Sequence, residues 1–279
     1  MSQTRLTDHQ LNYFETFGFL SFPGLLADCI DEIIDAFEVV WEDHGGGHDG
    51  KPHDDLNRSC IVPFMDQSER LSELLDDPRI HDILASLLGD DFNYAGSDGN
   101  YYAGDTGWHS DGWRKENRSI KIALYLDKLT CDTGALRVIP GSHCPGDSYG
   151  ETLQEKVQDS QELLGIEGAE VPAFVFDNQP GDVLCFYHNT KHAAFGGSPR
   201  RRMFTINCHR RYPEDRIQEL RDHITIFARH WMDRVYGDAM VRTAGPDRMV
   251  HLEQIMANDG HLAELSRQMR EKMSEPSRG

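Results

Sequence analysis

Apolar residues fall at helical spacing up to about residue 91, at alternating spacing in short runs to about residue 210, and at helical spacing again to the end. Thr7-Asp8 precede Leu11, Phe14 and Phe17, and Gly18 stops the pattern, which predicts a capped amphipathic helix over residues 6–20. Phe19-Leu20-Ser21-Phe22 predicts a short strand ending at Pro23-Gly24. Ile30, Ile33, Ile34, Phe37 and Val40 predict a second helix over 26–43, and residues 68–89 predict more helix. Between these helices, residues 44–55 are rich in glycine and carry His44, His48 and His53. They read as a solvated, mobile loop that covers a site as a lid, in preference to a metal site.

The texture then changes. Short β-prone runs at 92–103, 119–127, 135–140, 172–176, 182–188 and 202–209 alternate with Gly, Pro, Asn and Asp. That is the pattern of a sandwich or barrel. Residues 146–170 form a polar insertion with helical character, and 213–235 and 250–273 return to helix. The chain reads as one domain over 1–279, mainly β with flanking α-helices. Its parts are N-terminal helices (about 1–91), a β core (about 92–210) and a C-terminal helical segment (about 211–279).

The candidate chemistry lies in this β region. In Trp108-His109-Ser110-Asp111, His109 and Asp111 are two residues apart, so on a strand they share a face. With one more imidazole they make two histidines and one carboxylate. That set covers one face of an octahedron and leaves positions open, as in non-haem Fe(II) oxygenases. The third ligand is expected near Gly181–His192, where His188 and His192 compete. The glycines after His192 predict a hairpin. A two-residue Gly197-Ser198 loop would pair position 192 near 203 and put Arg201 on the face of His192. A longer loop would select Arg200 or Arg202 instead. Such an arginine could hold the far carboxylate of a dicarboxylic co-substrate through two parallel hydrogen bonds.

Lys121, Ala123 and Tyr125 share one strand face, opposite Ile120, Ile122, Leu124 and Leu126. If the first face lines the barrel, Lys121 and Tyr125 point at the site and can hold an acidic group such as the co-substrate. Only one of Tyr101 and Tyr102 can face a pocket. Trp113 and Arg114 follow the motif directly and are expected at the substrate mouth, whereas Trp108 is expected to be core. His143 is expected beside the site or at the surface and not as a ligand.

The formal net charge of −19 argues against nucleic-acid or anionic-membrane partners. No apolar run approaches the roughly 20 residues that span a bilayer. The N-terminus lacks a secretory pattern, and the six cysteines show no C-x-x-C, which together predict reduced thiols in a cytoplasmic protein. Basic residues cluster at Arg114, Lys115, Arg118 and Lys121 and at Arg200–Arg202. They motivate a small anionic substrate. Oligomeric state leaves no mark on the sequence.

Trp108–Asp111, Gly134-Ala-Leu-Arg-Val-Ile-Pro-Gly-Ser-His143, Pro180-Gly-Asp-Val-Leu184, and His192 with Arg201 nine residues on follow one order. In that order the chain resembles the phytanoyl-CoA dioxygenase family of Fe(II)/2-oxoglutarate oxygenases, its ectoine hydroxylase branch included. The resemblance implies a double-stranded β-helix (jelly roll, cupin-like). It implies His109, Asp111 and His192 as iron ligands. It implies Arg201, or its neighbour Arg202, on the far carboxylate of 2-oxoglutarate, and Asn100 as a further co-substrate contact. It also implies O2 as oxidant, with succinate and CO2 as products, and the retained Asp111 favours hydroxylation or another oxidation over halogenation. Three rival readings use the same residues. They are a cupin-like metalloenzyme without 2-oxoglutarate, a non-catalytic binding protein on an oxygenase scaffold, and, more weakly, a zinc hydrolase.

Overall fold

A computed structural model describes residues 5–112, 117–144 and 146–279. Trp113 and Arg114 lie outside the described residues. In chain order the strands are β1 (Phe19–Phe22), β2 (Ser59–Ile61), β3 (Asn93–Tyr94), β4 (Gly99–Tyr102), β5 (Thr106–His109), β6 (Ser119–Tyr125), β7 (Leu136–Val138), β8 (Phe174–Val175), β9 (Val183–Tyr187), β10 (His192–Ala194) and β11 (Arg201–His209). They form two antiparallel sheets. The larger runs β1-β9-β6-β11-β4-β2, with β3 also on β11, and the smaller runs β5-β10-β7-β8. Two facing sheets with successive strands crossing between them are the jelly roll that the strand pattern predicts.

The pleat of β6 and β11 sorts residues by face. Ile120, Ile122, Leu124, Phe204, Ile206 and Cys208 turn outward into the main core. There they join Ile33 and Phe37 of the helix Ile30–Asp43 and Ile83 and Leu84 of the helix Pro78–Leu88. Ala123, Tyr125 and Met203 turn inward and pack with Leu136, Val138 and Phe186 between the sheets. The outer face of the smaller sheet is closed by the insertion, where Trp108, Ala193 and Val157 of the helix Ser148–Gln158 cluster. Trp108 is core, as expected, and its Nε1 donates to the Gly168 carbonyl at 2.8 Å.

The first helix runs Asp8–Phe17 and carries a reciprocal cap. Thr7 Oγ1 accepts from Gln10 N, and Gln10 Oε1 accepts from Thr7 N at 2.9 Å. Gly18 ends it at φ 85°, and a Cβ there would run into the His143 ring. His143 is therefore neither beside the site nor at the surface. It is buried against this helix end, stacked on Tyr187 at 4.8 Å.

Several expectations are corrected. The run 92–103 divides into β3 and β4, and β2 was too short for the pattern to reveal. The helical runs at 213–235 and 250–273 break into short turns and two regular pieces, Ile217–Ile224 and Leu262–Lys272. The loop at 44–55 is not solvated throughout. His48 is 2 % exposed, bonded through Nδ1 to Cys60 O and through Nε2 to Pro276 O. His53 bonds Ser59 Oγ and Pro199 O. No hairpin joins β10 to β11. His192 is opposite His109 and Val138 in the smaller sheet, while Arg201 is opposite Tyr102 in the larger. The glycines at 196 and 197 serve a crossover. A Cβ at either would collide with backbone, of Asp132 or of Gly104. Among the described residues no helix is long and apolar enough to cross a membrane.

Candidate active site

His109 and His192 are cross-strand neighbours at one end of the smaller sheet. Their rings lie 4.2 Å apart. β5 ends at His109, so Asp111 is not held by the pleat. It is held by a turn in which Asp111 N and Gly112 N donate to the His188 carbonyl at 2.9 and 3.1 Å. The result is convergence: Asp111 Oδ1 lies 3.9 Å from His109 Nε2, and Asp111 Oδ2 lies 3.5 Å from His192 Nε2. The three donor atoms fall within 4.8 Å of one another. His188 lines the same cavity but does not join this set.

Two carbonyls decide which nitrogens are free. His109 Nδ1 lies 2.8 Å from Gly107 O, and His192 Nδ1 lies 2.9 Å from Thr190 O. A carbonyl only accepts, so each Nδ1 carries the proton and each Nε2 presents a lone pair to the common point. Burial pulls His192 down to about 3, which keeps it neutral as a metal ligand must be. Burial opposes ionisation of Asp111, but Lys121 and the nearby imidazoles hold its carboxyl well below the usual range. Lys121 Nζ sits 2.7 Å from Asp111 Oδ2. Two imidazoles that turn Nε2 to a common point and an ionised carboxylate, fixed by backbone contacts, suit a divalent metal bound on one face.

The cavity below this point has a volume of about 360 Å³. Arg201 stands in its wall, 1 % exposed. Its Nη1 makes one long bond, 3.4 Å to Gly104 O, its Nε has no partner, and its guanidinium lies 5.3 Å from the Tyr102 ring centre. Gly134 and Gly197 make room for it, since a Cβ at either would strike Nη1. Arg202, the alternative on sequence, is turned away. Strand parity sends it to the outer face, where it pairs with Asp127 at 2.7 Å and Glu38 at 2.9 Å. Arg200 likewise pairs with Glu38.

The inner face of β6 is as expected. Lys121 and Tyr125 both line the cavity, and burial pushes the Tyr125 phenol up. Tyr102 faces the cavity and Tyr101 stacks on Trp41 in the core. Asn100 does not reach the cavity surface. It is fully buried behind it, accepting from Arg58 Nε at 2.8 Å and donating to Asp98 Oδ2 at 2.7 Å. Its place is to hold Arg58, which lines the cavity with its guanidinium 4.6 Å from the Tyr102 ring centre.

Sequence reasoning missed Arg58, Asp98, Arg229 and His230, all of which line the cavity. Arg58 precedes a strand of three residues, too short to show alternation. Arg229 and His230 sit in a short helical turn, Thr225–His230, with no motif. Among the described residues the cavity wall carries four cationic side chains, Arg58, Lys121, Arg201 and Arg229, and two carboxylate side chains, Asp98 and Asp111, with Gly279 also in the wall. This reverses the balance of a chain whose net charge is −19.

The sequence profile of the phytanoyl-CoA dioxygenase (PhyH) family matches residues 14–204. An ectoine dioxygenase of Sphingopyxis alaskensis is 30 % identical over 212 residues, covering 66 % of this chain and 64 % of that protein. The match thus spans less than two thirds of that relative's length. Among solved structures, EctD from S. alaskensis with 2-oxoglutarate and 5-hydroxyectoine superposes with a TM-score of 0.56 at 23 % identity, covering 75 % of this chain and 78 % of that one. The α-ketoglutarate-dependent carbocyclase SnoK from nogalamycin biosynthesis gives 0.56 at 18 %, covering 74 % and 84 %. These structural likenesses establish the jelly-roll fold. The family match covers more than half of the chain and contains the whole His-Asp-His set and Arg201, so the chain belongs to the phytanoyl-CoA dioxygenase family of Fe(II)/2-oxoglutarate-dependent oxygenases.

Proposed function

We propose that this protein is an Fe(II)/2-oxoglutarate-dependent dioxygenase that oxidises an unactivated C–H bond of a small anionic metabolite and releases succinate and CO2. His109, Asp111 and His192 would hold the iron through two Nε2 atoms and one carboxylate. When bound, the metal supplies the activation of O2 that no side chain offers. The protein's own part is orientation and shielding. Arg201 would grip the far carboxylate of 2-oxoglutarate, and Tyr102 and Tyr125 would flank it. Lys121 keeps Asp111 ionised and steady.

One observation carries this reading. A metal-ready triad shares a cavity with a buried arginine whose Nε lacks a partner. A buried, unpaired guanidinium is costly unless a ligand satisfies it. The excess of cations in the wall supports an anionic substrate. The volume supports a small one, because 360 Å³ is near the low end of the roughly 300–1,000 Å³ typical of ligand pockets. All six cysteines are free thiols, which fits a reducing cytoplasmic setting.

The test is succinate formation by the purified protein supplied with Fe(II), 2-oxoglutarate, O2 and ascorbate. Slow turnover without substrate is expected, followed by stimulation when the right small acid is added. Metal-dependent activity that ignores 2-oxoglutarate would favour a cupin-like enzyme of another kind, and failure to bind Fe(II) would favour a non-catalytic scaffold.

A further inference from the structure

Asp111 differs from the two histidines in having a second donor atom. Each imidazole offers one nitrogen to the common point, because its Nδ1 is tied to a carbonyl. A carboxylate can bind a metal through one oxygen or through both. The choice matters in the oxygenase reading. Three donor atoms on one face of an octahedron leave three positions, and a co-substrate that chelates through two atoms needs all three together with O2. A second oxygen from Asp111 would take one of them.

That second oxygen is held from the larger sheet. Lys121 Nζ lies 2.7 Å from Asp111 Oδ2, while Oδ1 faces His109 Nε2 at 3.9 Å. Lys121 stands on the inner face of β6, between Phe186 of β9 and Asn207 of β11, so strands on both sides set its direction. Its side chain is 13 % exposed. The backbone of Asp111 is held from the same corner. Asp111 N donates to His188 O, just past the end of β9, and His188 N donates to Ser119 O at 3.0 Å, at the start of β6. The larger sheet thus carries the carboxylate by main chain and side chain, and the smaller sheet carries both imidazoles on β5 and β10. Burying an ammonium beside a divalent metal costs free energy through desolvation and like-charge repulsion. The position requires a partner, and Asp111 is that partner.

We propose that Lys121 is a positioning residue that reserves Oδ2 of Asp111, so that the aspartate gives the metal a single oxygen, Oδ1, and the positions needed by 2-oxoglutarate and O2 stay open. The inference rests on the oxygenase reading and deepens it. It also changes the part expected for Lys121, from gripping the acidic co-substrate to keeping its place free. An ammonium suits the task because it has donors and no acceptor. It cannot become a metal ligand itself, as an imidazole, an amide or a second carboxylate in its place could.

The probe is Mn(II), whose effect on water-proton relaxation scales with the number of waters it holds. Lys121→Met keeps the length of the side chain and loses the donor, whereas Lys121→Arg keeps a charged donor. Without 2-oxoglutarate, Mn(II) in Lys121→Met should hold two waters in place of three, so its relaxivity per bound ion falls by about one third. Mn(II) affinity should stay level or rise, because a second oxygen binds and a like charge is gone. 2-Oxoglutarate, titrated by calorimetry under argon, should bind the Mn(II) form of Lys121→Met roughly tenfold more weakly. Lys121→Arg should restore the relaxivity at least in part. Weaker co-substrate binding at unchanged relaxivity would make Lys121 a direct contact of the acid, and overturns the assignment. So does a loss of Mn(II) affinity at unchanged relaxivity, which would make Lys121 a mere support for Asp111. Equal relaxivity falls in the Met and Arg variants, or no change in either, overturn it too. Failure of the unaltered Mn(II) protein to bind 2-oxoglutarate overturns the oxygenase reading itself.

Discussion

The two walls of the cavity are made in different ways. Much of the wall inside residues 14–204 is sheet: His109, His192, Lys121, Tyr125 and Arg201 lie on strands and are fixed by pleat and by cross-strand neighbours. The wall from residue 223 onward is short helical turns, positioned by hydrogen bonds from distant loops and from residues 276–278. A sheet sets a side chain's direction with a two-residue period, so a constellation placed on it persists while its surroundings vary. Turns set direction one contact at a time, so they can be rebuilt without disturbing the triad.

Breaking the His-Asp-His set should have the largest effect. His192→Ala or Asp111→Ala is expected to lower succinate formation by roughly a hundredfold or more and to weaken Fe(II) binding in parallel, read by metal titration. Arg201 and Arg202 sharpen the comparison within a single strand. Arg201→Ala should raise the KM for 2-oxoglutarate by about one to two orders of magnitude, because it removes a charge-assisted fork. Arg202→Ala, on the opposite face, should leave that KM within about twofold and cost roughly 1 kcal/mol of stability. Equal effects of the two on KM would contradict the parity argument.

The second wall is probed through its anchors. Asp66 is 1 % exposed, accepts from Tyr94 Oη at 2.8 Å and from Gly237 N at 3.2 Å, and is pushed up to about 6 by burial. Its folded-state value exceeds the unfolded one, so its contribution is present below about pH 4 and is lost as pH rises through about 6. Relative to Asp66→Asn, the unaltered protein should therefore lose roughly 2–3 kcal/mol between pH 4 and pH 7, measured by urea denaturation at each pH. A pH-independent difference would show that Asp66 is ionised in the fold throughout. The smallest effect is expected from Tyr236→Phe, which removes the hydroxyl donated to the Tyr94 carbonyl. It should cost about 1 kcal/mol in the same measurement and leave the KM for 2-oxoglutarate unchanged.

Much of the first wall was legible before any coordinates. The alternation in Ser119–Tyr125 sorted Lys121 and Tyr125 from Ile120, Ile122 and Leu124. The H-x-D spacing brought His109 and Asp111 together, although a turn and not the pleat orients the aspartate. Arg201 was placed on the correct face by a hairpin that does not exist, since β10 and β11 lie in different sheets. Choosing the inner face of β11 requires only the parity of that strand against its apolar outer residues, which is why the right side survived the wrong partner. Asn100, expected at the co-substrate, is bonded to Arg58 and Asp98, both of which line the cavity, and partners from residues 58 and 98 could not be read from its own segment. Nothing local announces the loop histidines as buried anchors, since their partners are Cys60 O, Pro276 O and Pro199 O, far along the chain.

Sequence alone determined the helix–strand–helix progression of the chain, the inner and outer faces of strands such as β6 and β11, and the donor types gathered at 109, 111 and 192. These follow from backbone period and side-chain chemistry, which act over a few residues. Tertiary structure decided that His192 and not His188 joins His109 and Asp111, that Arg202 is spent on Asp127 and Glu38, and that Arg58 and Asp98 reach the cavity wall. Those outcomes depend on which distant segments meet, and contact between them is set by packing of the whole chain.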